Sequence, residues 1–248
     1  MNVDLIVGVH SIAWALKMRN HQGAELVICR DVLDSQLAEF KKSPELLITI
    51  VSPENFQAEA QKLFSYLGFE YQRVPGNAVL KINSLEIYEL DWLYKELERK
   101  DNFKMLILDS VTDVHNRAAI MRTAAFYKID AILFSQKNFD GFPPSFYRIA
   151  SGGTELVSVV NCSSLPRAIE QLKERGLAVI GFDERGETLN RESCSDKKLA
   201  LVLGAEDTGL SNAVQRTLTK VVALDGPGEL KTLNVSVSAA VAMQKIWG

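Results

Sequence analysis

The chain has 248 residues, 47% of them hydrophobic and 24% charged, with a net charge of −3. These are ordinary proportions for a globular protein and exclude a disordered chain, a coiled coil and a collagen-like repeat; the length suggests one large domain or two small ones. Residues 1–100 hold 11 Lys and Arg against 14 Asp and Glu, and residues 101–248 hold 17 against 17, so neither part has the basic excess of a strong non-specific nucleic-acid binder. A local basic patch stays open, because binding depends on where charges lie. No apolar run reaches the ~18 residues of a membrane span. The opening MNVDLIVGVH carries an acid where a secretory signal carries positive charge, so a cytoplasmic protein with no membrane attachment is expected.

In chain order, LVIC (26–29) and LLITIV (46–51) read as buried strands, and residues 53–68 as a helix started by Pro53 and stopped by Gly68. Short strands are predicted at Glu70–Val74 and Ala78–Ile82. The charged, amphipathic stretch 86–102 reads as a connecting helix, with a boundary at Asp101–Asn102. From Lys104 the chain alternates again: strand MLILD, helix NRAAIMRTAAFYK, strand AILF, helix LPRAIEQLKERG, strands AVIGF, LALVLG and VVAL, and the helix LNVSVSAAVAMQKI. Such alternation predicts an α/β protein whose C-terminal part is a mostly parallel sheet with helices on both faces. Cys29, Cys162 and Cys194 fit neither a disulfide framework nor a metal pair, and with only three histidines no metal site is expected.

Ligands of parallel sheets bind where strand carboxyl ends release their loops. Three loops have unusual chemistry for connectors: DSVTDVHNRAAIMRTA (109–124), LVLGAEDTGLS (201–211) and LDGPGELKTLNVSVSAA (224–240). Familiar motifs fail on them. Gly226-Pro-Gly228 lacks the third glycine of a dinucleotide fingerprint, which is Lys231, and Gly204 to Gly209 has P-loop spacing with Leu210 in place of the phosphate-binding lysine. No nucleophile elbow is present.

Together, and in this order, the loops resemble motifs one, two and three of the SpoU (TrmH-type) RNA 2′-O-methyltransferases, over roughly residues 104–248, with ASGGTELVSV (150–159) similar to the segment before a family strand. The opening IVGVHSIAWALK and the pattern to about Ile82 resemble the small ribosomal-protein-like RNA-binding domain of the ribosomal RNA guanosine subgroup. The resemblance implies an RNA-binding domain at 1–82, a linker at 83–102 and a methyltransferase domain at 103–248 with a trefoil knot, a rare exception among folds. It further implies a homodimer, S-adenosylmethionine as cofactor, and a ribose 2′-hydroxyl of structured RNA as acceptor, ribosomal before transfer RNA. A non-catalytic RNA-binding protein of the same fold is the rival reading.

By motif position, Arg122, Asn116, Glu206 and Asn234 are the implied catalytic residues, and Gly204, Leu224, Leu233 and Thr232 the cofactor-binding ones. Each has a structural alternative. Asn116 can be an N-cap, Arg122 a helix-surface partner of a carboxylate, Glu206 a solvated acid, and Thr232 with Asn234 a helix cap. Glu206 is expected to hold the arginine or the backbone of motif three. His115 is expected to shape the loop rather than act as base. The family pattern departs at Arg117 and Ala118, where N-x-G-A is usual, and these two favour the non-catalytic rival. A guanidinium is a poor formal base, so Arg122 is expected to act as a fixed fork that stabilises developing negative charge.

Overall fold

The first third of the chain forms β1 (Val3–Val7), α1 (Val9–Met18), β2 (Ala24–Cys29), α2 (Arg30–Gln36), β3 (Leu46–Val51), α3 (Pro53–Tyr66) and β4 (Ala78–Asn83), of which β2, β3, α3 and β4 match the expected elements. Then follow β5 (Ile87–Tyr88), α4 (Leu90–Arg99), β6 (Phe103–Leu108), α5 (Val114–Phe126), β7 (Ala131–Ser135), α6 (Pro144–Ala150) and β8 (Ser158–Cys162). The chain ends with α7 (Leu165–Glu174), β9 (Ala178–Thr188), β10 (Lys198–Leu203), α8 (Asn212–Gln215), β11 (Lys220–Ala223) and α9 (Val235–Trp247). This computed structural model describes residues 3–138, 141–190, 194–226, 228–229 and 232–248. Met1, Asn2, Pro227, Leu230 and Lys231, quoted above, lie outside them.

The chain divides into two compact units: residues 1–85 with 141–155, and residues 86–140 with 156–248. Unit 1 holds a four-stranded sheet in the order β1-β4-β2-β3, parallel only between β2 and β3. Residues 70–74 do not form the predicted strand. Their polar groups turn to Gln57 on α3, whose Nε2 donates to the Val74 carbonyl at 2.9 Å and whose Oε1 accepts from Tyr71 at 2.6 Å and from the Val74 amide at 3.2 Å. One side chain thus supplies the partners that a sheet ladder would have supplied.

Unit 2 is built on a seven-stranded sheet, β11-β9-β10-β6-β7-β8-β5, and every neighbouring pair is parallel. Positions in β6, β7 and β10 are buried consecutively rather than alternately, so both faces are covered. On one face Leu93 and Leu97 of α4 and Leu165, Ile169 and Leu172 of α7 pack against Phe103, Met105 and Ile107. The stretch expected as a linker is therefore structural: β5 extends this sheet beside β8, and α4 buries its apolar side in the core. Its charges occupy the solvent side, which is why it reads as a tether in sequence. Helices α5 and α9 pack on each other, with Ala118, Ala124, Ala239 and Ala242 buried, and Tyr127 Oη donates to Gln244 Oε1 at 2.5 Å. Cys29, Cys162 and Cys194 are buried thiols, and burial pushes that of Cys162 up to about 11. Among the described residues no helix is long and apolar enough to cross a membrane.

A buried ion cluster fastens residues 141–155 to unit 1. Arg19, just past α1, donates to both oxygens of Glu155 at 2.5 and 2.8 Å and to Asp4 at 2.6 Å, while the Tyr147 hydroxyl donates to Asp4 at 2.5 Å. Burial opposes the charge on Arg19, but hydrogen bonding to Glu155 and the charges of Glu155 and Asp4 outweigh it and raise the guanidinium's pKa. Burial and Asp4 likewise hold the Tyr147 hydroxyl well above its usual value. Gly152, at φ 90, lies so close to Trp14 that a side chain there would strike the indole. Arg19→Met strands a buried carboxylate, Glu155, without its cation. We expect urea denaturation to report a loss of ~3–5 kcal/mol, and a loss below ~1 kcal/mol, the size of a surface pair, would contradict the arrangement.

Candidate active site

Strand β6 is followed by Asp109, whose amide donates to the Leu203 carbonyl at the end of β10 at 2.8 Å. Its carboxylate is 4% exposed and accepts the Ser211 amide at 2.7 Å and the Ser110 hydroxyl at 3.3 Å. A buried carboxylate is tolerable only when so satisfied. The consequence is positional: the loops after β6 and β10, motifs one and two, are stitched together at their roots. Ser110 takes the left-handed conformation, φ 63, in the turn that follows.

Asn116 is not the N-cap of α5. Asp113 takes that role and accepts the Asn116 amide at 2.8 Å. An aspartate three residues earlier competes for the same cap, and its acceptor-only side chain satisfies the helix amide directly. The Asn116 carboxamide is thereby released, and it donates to Glu206 Oε1 at the tip of the motif-two loop. Glu206 therefore holds Asn116, whereas it was expected to hold the arginine or motif three. Arg122 lies further along α5, exposed, and among the described residues it makes no ion pair. His115 is exposed, while Arg117 and Ala118 are buried on the inner side of the helix.

The motif-two loop closes on itself. Ala205 and Gly209 exchange amide-to-carbonyl bonds at 3.0 and 2.9 Å, and a Cβ on Gly204 would fall onto the Gly209 carbonyl. The close approach that needs a glycine at 204 is thus the chain's own. Leu210 is buried, and Ser211 caps α8. Asp183, on β9, borders this loop and accepts from Arg185 at 2.7 and 2.8 Å and from Gln215 at 3.4 Å. The Arg185 side chain holds the Asp183 carboxyl below its usual range against the effect of burial.

Motif three follows β11. Leu224 is half-buried, and Thr232, Leu233 and Asn234 are exposed, Leu233 by 54%. Asn234 is the N-cap of α9: its Oδ1 accepts from the Ser236 amide at 2.9 Å and the Ser236 hydroxyl at 2.6 Å. The structure thus realises the cap alternative for Asn234. Asp109, Asp113 and Asp183 were missed from sequence. An acid directly after a buried strand was the available signal for Asp109.

The fold and its loops define an α/β protein whose candidate site lies at the carboxyl edge of a parallel sheet. The sequence model of the SpoU rRNA methylase family matches residues 104–244. A Bacillus subtilis protein assigned to the TrmH family of tRNA/rRNA methyltransferases, YacO, is 32% identical over 170 residues, 68% of each chain. The 23S rRNA (guanosine-2′-O-)-methyltransferase RlmB of Acinetobacter baylyi is 29% identical over 239 residues, 95% of this chain and 93% of its own. The solved SpoU methyltransferase AviRb of Streptomyces viridochromogenes, in complex with AdoMet, superposes with a TM-score of 0.76 at 19% identity, over 98% of this chain and 89% of that one. The chain belongs to the SpoU rRNA methylase family. It is an RNA methyltransferase whose methyl donor is S-adenosylmethionine.

The residues present fit that donor. Leu224 and Leu233 offer apolar surface suited to an adenine, and the exposed acids Glu206, Asp207 and Asp225 suit a cationic sulfonium. Among the described residues no group of three or more His, Cys, Asp or Glu is placed to hold a metal ion. Gly204→Ala forces the 204–209 turn apart at a cost of ~1–3 kcal/mol. Titration calorimetry is expected to show S-adenosylmethionine affinity falling roughly tenfold or more; unchanged affinity would show that the closed turn is not part of the binding edge.

Proposed function

We propose that this chain transfers a methyl group from S-adenosylmethionine to a ribose 2′-hydroxyl of ribosomal RNA, as a homodimer, with unit 1 docking the RNA. The observation that carries the reading is the bond from Asn116 to Glu206, which joins motif one to motif two above the Asp109 stitch. The match to the guanosine-2′-O enzyme over 95% of this chain favours ribosomal over transfer RNA, since it includes unit 1. Burial of Arg117 and Ala118 supports the catalytic reading over the non-catalytic rival, because the two departures lie inside the helix packing. The trefoil knot implied by the family belongs to the same proposal, supported by α9 returning after β11 to pack on α5, which leaves the middle of the sheet.

When bound, S-adenosylmethionine supplies an electrophilic methyl on a sulfonium. The protein's task is to orient a poor nucleophile and stabilise its developing charge. Gly204, Leu224, Leu233 and Thr232 hold the cofactor from the loops of motifs two and three. Asn116, fixed by Glu206, positions the ribose, and Asn234 offers its Nδ2 from the start of α9. Arg122 holds ribose or phosphate oxygens with its planar fork, and the hydroxyl proton leaves to phosphate or water as the bond to methyl forms. In single-turnover methyl transfer to ribosomal RNA, Arg122→Ala is expected to lose ~10²–10³ in rate, and Arg122→Lys nearly as much because an ammonium lacks the fork. A lysine variant as fast as wild type would defeat the fork; an alanine variant as fast would remove Arg122 from the site.

The homodimer is supported by apolar side chains left in solvent on α5 and α9, Phe126 at 79% and Val237 at 47% exposure. Light scattering at micromolar concentration is expected to give twice the chain mass, and Phe126→Asp to shift it toward the single chain. A wild-type chain that scatters as a monomer would contradict the pairing.

A further inference from the structure

Unit 1 carries a small cavity of about 50 Å³, open to solvent, that the methyl-transfer chemistry does not use. Its floor is apolar, made by Val7 at the end of β1 and Phe64 of α3, both buried. Its rim is polar and comes from two places in the chain: Gln72 and Arg73 from the segment after α3, and Ser145 and Arg148 from α6. Among the described residues no carboxylate lines it. Both arginines are exposed, and among the described residues neither makes an ion pair, in contrast to Arg19, Arg99 and Arg185 of the same chain. Arg148 borders the turn into α1: a Cβ on Gly8, at φ 94, would stand 3.4 Å from the Arg148 Cα.

Two like charges around one opening, with no acid to balance them, have their lowest energy when an anion bridges them. A guanidinium fork matches the oxygens of a phosphate two at a time, and the neighbouring amide and hydroxyl can complete hydrogen bonds to phosphate or ribose. We propose that Arg73 and Arg148 form a phosphate clamp for the backbone of the substrate RNA. The clamp rests on the reading that unit 1 docks RNA and assigns the contact to residues. It also places half of that contact on residues 141–155, outside the stretch 1–82 that the sequence marks as the docking domain. The docking surface is then complete only after the chain has built β6, α5 and β7 and returned to unit 1.

The test uses the full chain with Arg73→Gln, Arg148→Gln and the double substitution, with Lys42→Gln as a control that removes one exposed charge of unit 1 away from the cavity. Filter retention of a 23S ribosomal RNA transcript is measured across a salt series, and methyl transfer to the same transcript in parallel. Each clamp variant is expected to flatten the slope of log K against log salt by ~0.7–0.9 and to weaken binding several-fold at 0.1 M salt. The maximal rate at saturating RNA stays at the wild-type value, because neither residue belongs to the active site. An unchanged slope and affinity in the double variant overturns the clamp, as does an equal loss in the Lys42 control. Competition by millimolar inorganic phosphate that matches the effect of RNA would assign the cavity to a small anion and also overturn it. If wild-type protein binds the transcript through the arginines but transfers no methyl to any ribosomal RNA, the clamp stands and the proposed acceptor falls; if methyl transfer proceeds with the half-saturating RNA concentration unmoved in the double variant, the reverse holds.

Discussion

The buried carboxylate of Asp109 is the point from which the candidate site is laid out. Strands β6 and β10 run parallel with Leu108 opposite Leu203, so their loops leave the sheet at the same level. Asp109 converts that register into a join by donating its amide to one strand end and accepting the amide of Ser211 at the far side of the motif-two loop. The loop between, 204–209, is drawn closed over a glycine that admits no side chain. Its tip then stands where Glu206 reaches Asn116 on the first turn of α5. Loss of the Asp109 carboxylate would remove the partner of the Ser211 amide and leave the loop unanchored.

A second buried ionic arrangement has a different task. The cluster of Arg19, Asp4, Glu155 and Tyr147 joins β1 and α1 to a segment more than a hundred residues away in the chain. Burying charges gains little net stability over an apolar replacement, and their attested use is to specify one arrangement among several. Here the arrangement specified is the docking of residues 141–155 on unit 1 rather than on the sheet that precedes and follows them. That excursion interleaves the units in sequence while each keeps its own core.

Much of this was legible from the chain. Periodicity located β2, α3 and the strands of the C-terminal sheet from their apolar patterns. It also located β3 but not its burial: this strand is the edge of its sheet, with Leu47 and Ile50 exposed by 62% and 39% where a buried strand was expected. The three motif loops were recognisable because their residue types are poor for connectors. What escaped depends on partners far away in sequence. Residues 70–74 look like a strand, but Gln57 on α3 takes their hydrogen bonds. Residues 86–100 look like a tether because α4 shows its charged side, and only the core across the sheet reveals Leu93 and Leu97 as anchors. Asn116 looks like a cap until Asp113 is seen to fill that position. Helix α6 is short and gives no local sign that it belongs to unit 1, since Tyr147 finds Asp4 and Ser11 only in three dimensions.

The proposed methyl transfer runs at the carboxyl edge of β6, β10 and β11, with ribosomal RNA as the proposed acceptor. Mapping 2′-O-methylation across the ribosomal RNA of cells with and without this protein tests that claim most directly. The account predicts that at least one methylated ribose disappears in the deletion strain and returns with the wild-type chain but not with Asn116→Ala. Identical methylation maps in the two strains would contradict it.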